Sequence, residues 1–244
     1  MSTKTLVVVP TYNEAGNLPM LSKLLFSLKI PNLELLVVDD DSPDGTAEVA
    51  ERLADQHPGL IHVLRRSKKE GIGPAYIAGF QQALRMGADI VIQMDADLSH
   101  PPEYIPAILD GLKTYDVVVG SRYIHGGGIA GHWGIFRRVL SRAGDVYTRW
   151  VLGLHIQDTK SGFKGFRRGV LERISLETVR SKGFIFQAEI VYKCQKINSR
   201  ILEVPFIFEL RAAGNSKMSV SIVVEALWRS LQIRLIGVLL PSKL

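Results

Sequence analysis

Two aspartates, Asp95 and Asp97, stand two residues apart directly after the apolar run Ile90-Val91-Ile92-Gln93-Met94. If the extended backbone of that run continues, both carboxylates project to the same side. Paired hard oxygen donors suit a divalent cation, and such a cation commonly neutralises the phosphates of a substrate. The chemistry indicated is the handling of a phosphorylated ligand. Ser99, Pro101, Pro102 and Glu103 follow with the residue types of a helix start, because proline is tolerated in a first turn. Capping accounts for those residues but leaves Asp95 and Asp97 without a structural role.

The elements that must position this pair follow from periodicity. Short apolar runs at 6–9, 35–38, 61–64, 90–94 and 117–119 read as buried strands, and helical patterns lie between them at 18–28, 46–55, 76–86 and 104–112. Alternating strands and helices predict an α/β fold, a mostly parallel sheet with helices on both faces. Ligands bind such sheets beyond the carboxyl ends of the strands. Pro10-Thr-Tyr-Asn-Glu14, Asp39-Asp40-Asp41-Ser42, Asp95-Ala96-Asp97 and Gly120-Ser-Arg-Tyr123 all fall at such ends, so one cleft could collect them. The glycines 126–128, 131 and 134 predict a mobile loop, and beyond Asp158 the pattern is irregular. The first turn carries neither GxGxxG nor GxxxxGK followed by Ser or Thr, so phosphates must be held by metal and cationic side chains.

The 244 residues, 46% hydrophobic with mean hydropathy +0.12, suffice for one domain with an appendage. A formal charge of +6 and a pI near 9.4 point to an anionic partner. Arg65, Arg66, Lys68 and Lys69 lack interleaved aromatic residues, which argues against nucleic acid. The single cysteine, Cys194, cannot form an internal disulfide and reads as a buried thiol in a reducing compartment. With no secretory pattern at Met1–Val9 and no run of about 20 apolar residues, the expected location is the cytoplasm.

Taken together, Val9-Pro-Thr-Tyr-Asn-Glu14, Val37-Val-Asp-Asp-Asp-Ser-Pro-Asp-Gly-Thr46, Met94-Asp-Ala-Asp-Leu-Ser-His-Pro101, Gly120-Ser-Arg-Tyr123, Asp158-Thr-Lys-Ser-Gly-Phe163, Phe186-Gln-Ala-Glu189 and Arg211-Ala-Ala-Gly-Asn-Ser-Lys217 resemble the glycosyltransferase family 2 enzymes of GT-A fold. Within that family they resemble the group acting on polyprenyl or dolichyl monophosphate without transmembrane helices. The resemblance implies a catalytic domain over 1–217 and a C-terminal amphipathic helix over 218–244. It implies transfer of mannose from GDP-mannose to a polyprenyl phosphate, with Mg2+ or Mn2+ as cofactor, at the cytoplasmic face of a membrane. By resemblance Pro10, Tyr12, Glu14, Val37 and Asp39 hold the nucleoside. Asp95, Ala96 and Asp97 hold ribose, diphosphate and metal, with Asp95 and Asp97 as metal ligands. Relatives that place glutamine where this chain has Ser99 gain a further ligand, so Ser99 is left out of the metal set.

A lipid phosphomonoester has a second pKa near ~6 and is largely anionic at neutral pH, so it needs no strong base. It does need cations to gather it beside an anionic donor. Arg122, Arg137, Arg211 and Lys217 are the candidates: Arg122 for catalysis, donor and acceptor phosphate, Arg137 for the acceptor phosphate, Arg211 and Lys217 for the donor. Arg138, Arg142 and Arg149 form a basic stripe on the segment 136–152, opposite the apolar Phe136, Val139, Leu140, Ala143, Tyr147 and Trp150. Val224, Leu227, Trp228, Leu231, Leu235 and Val238 fall on one helical face, which either lies in a bilayer interface or packs on the body of the protein. Two other readings remain open at this point: a family 2 transferase using UDP-glucose or another sugar nucleotide, and a noncatalytic sugar-nucleotide-binding or membrane-adaptor protein.

Overall fold

The computed structural model describes residues 3–131, 135–209 and 220–239. The amino-terminal part runs β1 (Thr5–Thr11), α1 (Leu18–Ser27), β2 (Leu33–Asp39), α2 (Thr46–Gln56), β3 (Ile61–Arg65), α3 (Ile72–Arg85), β4 (Ile90–Gln93), α4 (Ile105–Gly111) and β5 (Val117–Ser121). Then come β6 (Gly128–Ile129), α5 (Ile135–Leu152), β7 (Lys164–Arg167), α6 (Arg168–Arg173), α7 (Phe186–Lys196), β8 (Ile201–Pro205), β9 (Ile207–Phe208) and α8 (Val220–Leu239). The irregular region beyond Asp158 therefore holds strands too short and too polar to register as apolar runs. The glycine loop is not wholly irregular either, since Gly128 and Ile129 pair in parallel with Ile207 and Phe208.

Seven strands form one sheet in the order β3-β2-β1-β4-β7-β5-β8. All neighbours are parallel except β7, which runs antiparallel to both β4 and β5. Alternate side chains enter opposite layers. Leu6, Val8, Leu36 and Val38 meet α3, α6 and α7, whereas Val7, Val9, Leu35 and Val37 meet α1, α2 and α4. Burial on both faces explains why these strands read as continuous apolar runs. Helix α3 lies close enough to the sheet that a Cβ at Gly79 would come within 2.3 Å of Val8 Cγ1.

Helices α5 and α8 pack together, with Tyr147 Oη donating to the carbonyl of Leu227 at 3.3 Å. Both turn some polar groups inward beside the buried Val151, Leu152 and Ile233. On α5, Asp145 and Thr148 are buried, and Thr159 Oγ1 donates to Asp145 Oδ1 at 2.7 Å. Val139, Val146 and Trp150 are exposed by 61, 48 and 80%, so the expected apolar stripe faces outward. On α8, Ser230 and Ile233 face the body while Leu227, Trp228, Leu231, Leu235 and Ile236 are exposed. Of the two alternatives left open for this face, the exposure of Leu231 and Leu235 favours the one in which it does not pack on the body.

Lys164 sits fully buried at the start of β7, in register with Gln93 of β4 and Val119 of β5. Its ammonium donates to the Ser161 carbonyl and, at 2.6 Å, to Gln187 Oε1, and burial lowers its pKa to about 7. An amine with a folded pKa below its unfolded value near 10.5 binds fewer protons when folded, so its contribution makes stability rise with pH between about 7 and 10.5. Lys164→Met should abolish this slope. Denaturant midpoints at pH 7 and pH 10 check it: wild type must gain on the variant as pH rises, and parallel behaviour of the two would place the titration elsewhere.

Candidate active site

Strands β2 and β3 extend the sheet to one side of β1 and β4 to the other, so the order reverses between β1 and β4. At such a reversal the loops diverge and leave a crevice beyond the carboxyl ends. The loops after β1 and β2 are stitched together there. The amide of Glu14 donates to Thr46 Oγ1 at 2.9 Å, and that of Ala15 donates to Asp44 Oδ2 at 3.1 Å. Asn13, Asp41 and Leu98, one in each of the loops after β1, β2 and β4, hold φ values of 62°, 58° and 63°. Left-handed backbone outside glycine is costly and is retained where surrounding contacts over-determine it.

The nucleoside candidates line this crevice unequally. Tyr12 is 36% exposed, and the Lys69 ammonium sits 3.4 Å from its ring centroid. Glu14 accepts from Asn17 Nδ2 at 2.6 Å. Asp39 is buried and accepts from Thr11 Oγ1 at 2.9 Å and from the hydroxyl and amide of Ser42 at 2.6 and 3.0 Å. Pro10 is half-buried, while Val37 and Ala96 have their side chains in the core. Only the backbone of those last two can meet a ligand. Beside them Asp40 pairs with Arg66, and burial raises the Asp40 pKa against that guanidinium.

The extended geometry does not persist to Asp95. Strand β4 ends at Gln93, and the chain bends through 96–100. Each carboxylate is instead fixed by its own donors. Tyr76 Oη donates to Asp95 Oδ1 at 2.8 Å, and the amide of Asp95 donates to His100 Nδ1 at 3.0 Å. The amide and hydroxyl of Ser99 donate to Asp97 Oδ1 at 3.1 and 2.5 Å. Ser99 thus turns back on Asp97 instead of capping α4, which is entered through a short turn at Pro102–Tyr104. No cluster of three His, Cys, Asp or Glu groups suited to a metal occurs among the described residues. Two carboxylates fit a hard cation that takes its remaining ligands from substrate phosphate and water, as Mg2+ does.

Arg122, at the end of β5, is a committed ion pair. Its Nε and Nη2 donate to the two oxygens of Asp158 at 2.7 Å each, and its amide adds a third bond at 3.0 Å. Burial disfavours both charges, yet mutual attraction and these bonds raise the Arg122 pKa and lower that of Asp158. Glu203 of β8 receives the amides of Gln157 and Asp158 at 2.8 and 3.0 Å and so sets the carboxylate in place. Two of the five guanidinium donors are spent on Asp158, leaving the rest for a second anion. Tyr123, next in the chain, bonds Ser141 at 2.9 Å. Arg137 lies in α5 with its side chain outside the described ones, and Arg211 and Lys217 lie outside the described residues.

Sequence reasoning missed Tyr76, His100, Asp158 and Glu203. Tyr76 entered only as part of a helical pattern and His100 only as part of the Met94–Pro101 motif, and the Arg122–Asp158 pair joins residues 36 apart in the chain. The usable signal was Asp158 itself, an acidic residue opening the Asp158–Phe163 motif with no capping role. Cys194 is buried as expected, and burial pushes its thiol up to about 12, so it is inert.

Comparison with known proteins agrees with this geometry. The sequence pattern described as "Glycosyl transferase family 2" matches residues 6–175. Undecaprenyl-phosphate mannosyltransferase of Micrococcus luteus is 42% identical over 91% of this chain and 90% of its own length. Polyprenol monophosphomannose synthase of Mycolicibacterium smegmatis is 42% identical over 93% of this chain and 85% of its own length. Glucosyl-3-phosphoglycerate synthase of Mycobacterium tuberculosis, solved with Mn2+, UDP-glucose and glycerol 3-phosphate, is similar in fold, with TM-score 0.63 and 18% identity over 97% of this chain and 80% of that one. A crevice at the sheet reversal, an Asp-Ala-Asp pair fixed at its centre and a family match spanning well over half of the sequence lead to one assignment: the chain belongs to glycosyl transferase family 2.

Proposed function

We propose that this chain transfers mannose from GDP-mannose to a polyprenyl phosphate at a membrane surface, on its cytoplasmic face, giving polyprenyl β-mannosyl phosphate and GDP. The observation that carries this reading is the outward apolar face of α5 and α8 on a chain whose crevice suits a sugar nucleotide. A water-soluble acceptor gives no reason to expose Trp150 by 80% and Trp228 by 63%. Val139, Arg142, Ala143, Val146, Tyr147 and Trp150 line an open apolar trough of about 730 Å³. An isoprenoid chain or bilayer interior suits such a surface, and tryptophans suit the interface itself. Among the described residues no helix is long and apolar enough to cross a membrane, so attachment from one side is the mode proposed. Relatives from Micrococcus luteus and Mycolicibacterium smegmatis carry names with undecaprenyl and polyprenol phosphate acceptors, which supports the same choice.

In this reading Tyr12, Glu14 and Asp39, with the backbone at Pro10, Val37 and Ala96, bind the nucleoside, and Asp95 and Asp97 hold Mg2+ or Mn2+ on the diphosphate. Bound there, the cation supplies positive charge to the departing GDP. Arg122, Arg137, Arg211 and Lys217 counter the phosphates of donor and acceptor. Arg122 acts from a fixed position, because Asp158 holds its guanidinium while further N–H groups remain for an anion. The acceptor phosphate oxygen attacks the anomeric carbon directly as the bond to GDP breaks. A single displacement of this kind inverts the configuration at that carbon.

Incubating the purified chain with labelled GDP-mannose or UDP-glucose, Mg2+ or Mn2+ and polyprenyl phosphate in liposomes tests the function. Label should enter the organic phase from GDP-mannose alone. Transfer from UDP-glucose instead would reassign the donor, and none from either would leave a binding protein.

Asp97→Asn keeps the shape of the side chain but withdraws a formal charge from the cation site, so metal-dependent transfer should fall at least tenfold, the effect expected when a metal site is disturbed. Calorimetry of a folded variant showing undiminished uptake of Mn2+ with GDP would remove Asp97 from the metal set. Leu231 and Leu235 are exposed by 42 and 58%, so changing both to Ser should alter stability by only about 0.5 kcal/mol per site. Liposome co-sedimentation should nevertheless drop. A lowered melting temperature with membrane binding intact would mean that this face is covered by protein.

A further inference from the structure

Asp95 is gripped at two points that lie on different elements. Its Oδ1 accepts from Tyr76 Oη at 2.8 Å, and its amide donates to His100 Nδ1 at 3.0 Å. Tyr76 is fully buried on α3, its ring lying parallel to Phe186 within 2° at 5.8 Å and beside Phe80 at 5.8 Å. The hydroxyl is therefore the tip of a side chain that packing forbids to turn. His100 is buried by the same logic, stacked on Phe163 at 5.3 Å and edged by Phe206 and Phe208 at 5.8 Å each. Because Nδ1 accepts, the ring is neutral with its proton on Nε2, in keeping with the lowering of its pKa by burial.

Gly162 completes the arrangement. A Cβ there would lie 2.8 Å from His100 Cε1 and 3.4 Å from both carboxylate oxygens of Asp95. Only a residue without a side chain lets the β7 approach loop pass the carboxylate without pushing it or the imidazole. The terminal torsion of a carboxylate is broad, so a carboxylate without a fixed donor turns over a wide range. The hydrogen bond from Tyr76 holds one oxygen, fixes that torsion and leaves the other oxygen directed to meet a ligand.

Resting on the assignment of Asp95 to the metal and donor site, we propose that Tyr76 and His100 are positioning residues which fix the backbone and carboxylate of Asp95 in the ligand-binding orientation before the cation and nucleotide arrive. Neither residue touches the ligands. Their contribution is order supplied in advance, which should appear in affinity for the metal and donor more than in the rate of the saturated enzyme.

The test is uptake of Mn2+ in the presence of GDP, followed by the loss of the free-ion paramagnetic signal, on the full chain and on Tyr76→Phe, His100→Asn and His100→Leu. Tyr76→Phe deletes one oxygen from a ring that stays stacked, and Mn2+ affinity should fall about tenfold to a hundredfold, as when an outer-shell partner of a metal ligand is lost. In transfer assays the apparent KM for GDP-mannose should rise by a similar factor while kcat changes less. His100→Asn offers an amide oxygen near the Nδ1 position and should keep most of the affinity that His100→Leu loses, and this pair carries the comparison if Tyr76→Phe does not fold. Folded variants that all bind Mn2+ with GDP as tightly as wild type would overturn the positioning role alone. A wild-type chain that takes up no Mn2+ with GDP would overturn the donor-site assignment, and the positioning role with it.

Discussion

Strand β7 enters the sheet against the direction of its neighbours, and the arrangement of the site depends on that reversal. In a parallel sheet the loops leaving the carboxyl ends gather at one edge, while the loops entering the strands lie at the other. Because β7 is antiparallel to β4 and β5, the segment that enters it, 158–163, arrives at the edge where the others leave. It brings Asp158 to Arg122, Gly162 alongside Asp95 and Phe163 against the ring of His100. The ladder bonds that seat Lys164 between Gln93 and Val119 therefore hold residues from distant parts of the chain in one place. A shift of β7 by one residue would turn its side chains to the opposite faces and move Asp158, Gly162 and Phe163 together.

In the proposed reading the crevice so formed receives an anion that arrives with its own cation. Its central groups are carboxylates, which alone would repel a diphosphate. They are tolerable because each is hydrogen-bonded: Asp39 by Thr11 and Ser42, Asp95 by Tyr76, Asp97 by Ser99. Bonds of this type hold the carboxylate oxygens where a hard cation can use them. The positive side is arranged differently. Arg122 is neutralised by Asp158, so its worth lies in direction more than in net charge, and a bidentate fork is the geometry that provides direction.

How much of this could be read from residues alone depended on whether the information was local. Strands β1 to β5 announced themselves because burial on both faces demands uninterrupted apolar side chains. The Asp-Ala-Asp segment was legible because two acids after a strand have no structural purpose. Strands β7 and β8 were not legible: Lys-Gly-Phe-Arg contains a lysine whose burial depends on Gln187 and Ser161, and β8 is a half-buried edge strand. Residues 95–97 were expected to be extended, but Leu98 in the left-handed region and the pull of Ser99 on Asp97 bend the chain. Periodicity carries no signal for such contacts, since they are set by single hydrogen bonds.

The direction of the helix faces was not legible for a related reason. Periodicity found the apolar stripe of α5 correctly, but a stripe does not say which way it points. Inward, α5 offers Asp145, Thr148 and the half-buried Ser141, groups that answer Thr159, Lys160 and Tyr123 from the loops behind the site. With those polar contacts on the inner face, Val139, Val146 and Trp150 are left exposed. The same exchange occurs on α8, where Arg229 turns toward Ser181 and Gln232 while Trp228 and Leu235 face away. The two helices pack against each other and both expose apolar side chains. Polar groups turned to the loops behind the site and apolar groups turned outward are thus two consequences of how these helices face, and in the proposed reading that facing joins the site to a lipid acceptor.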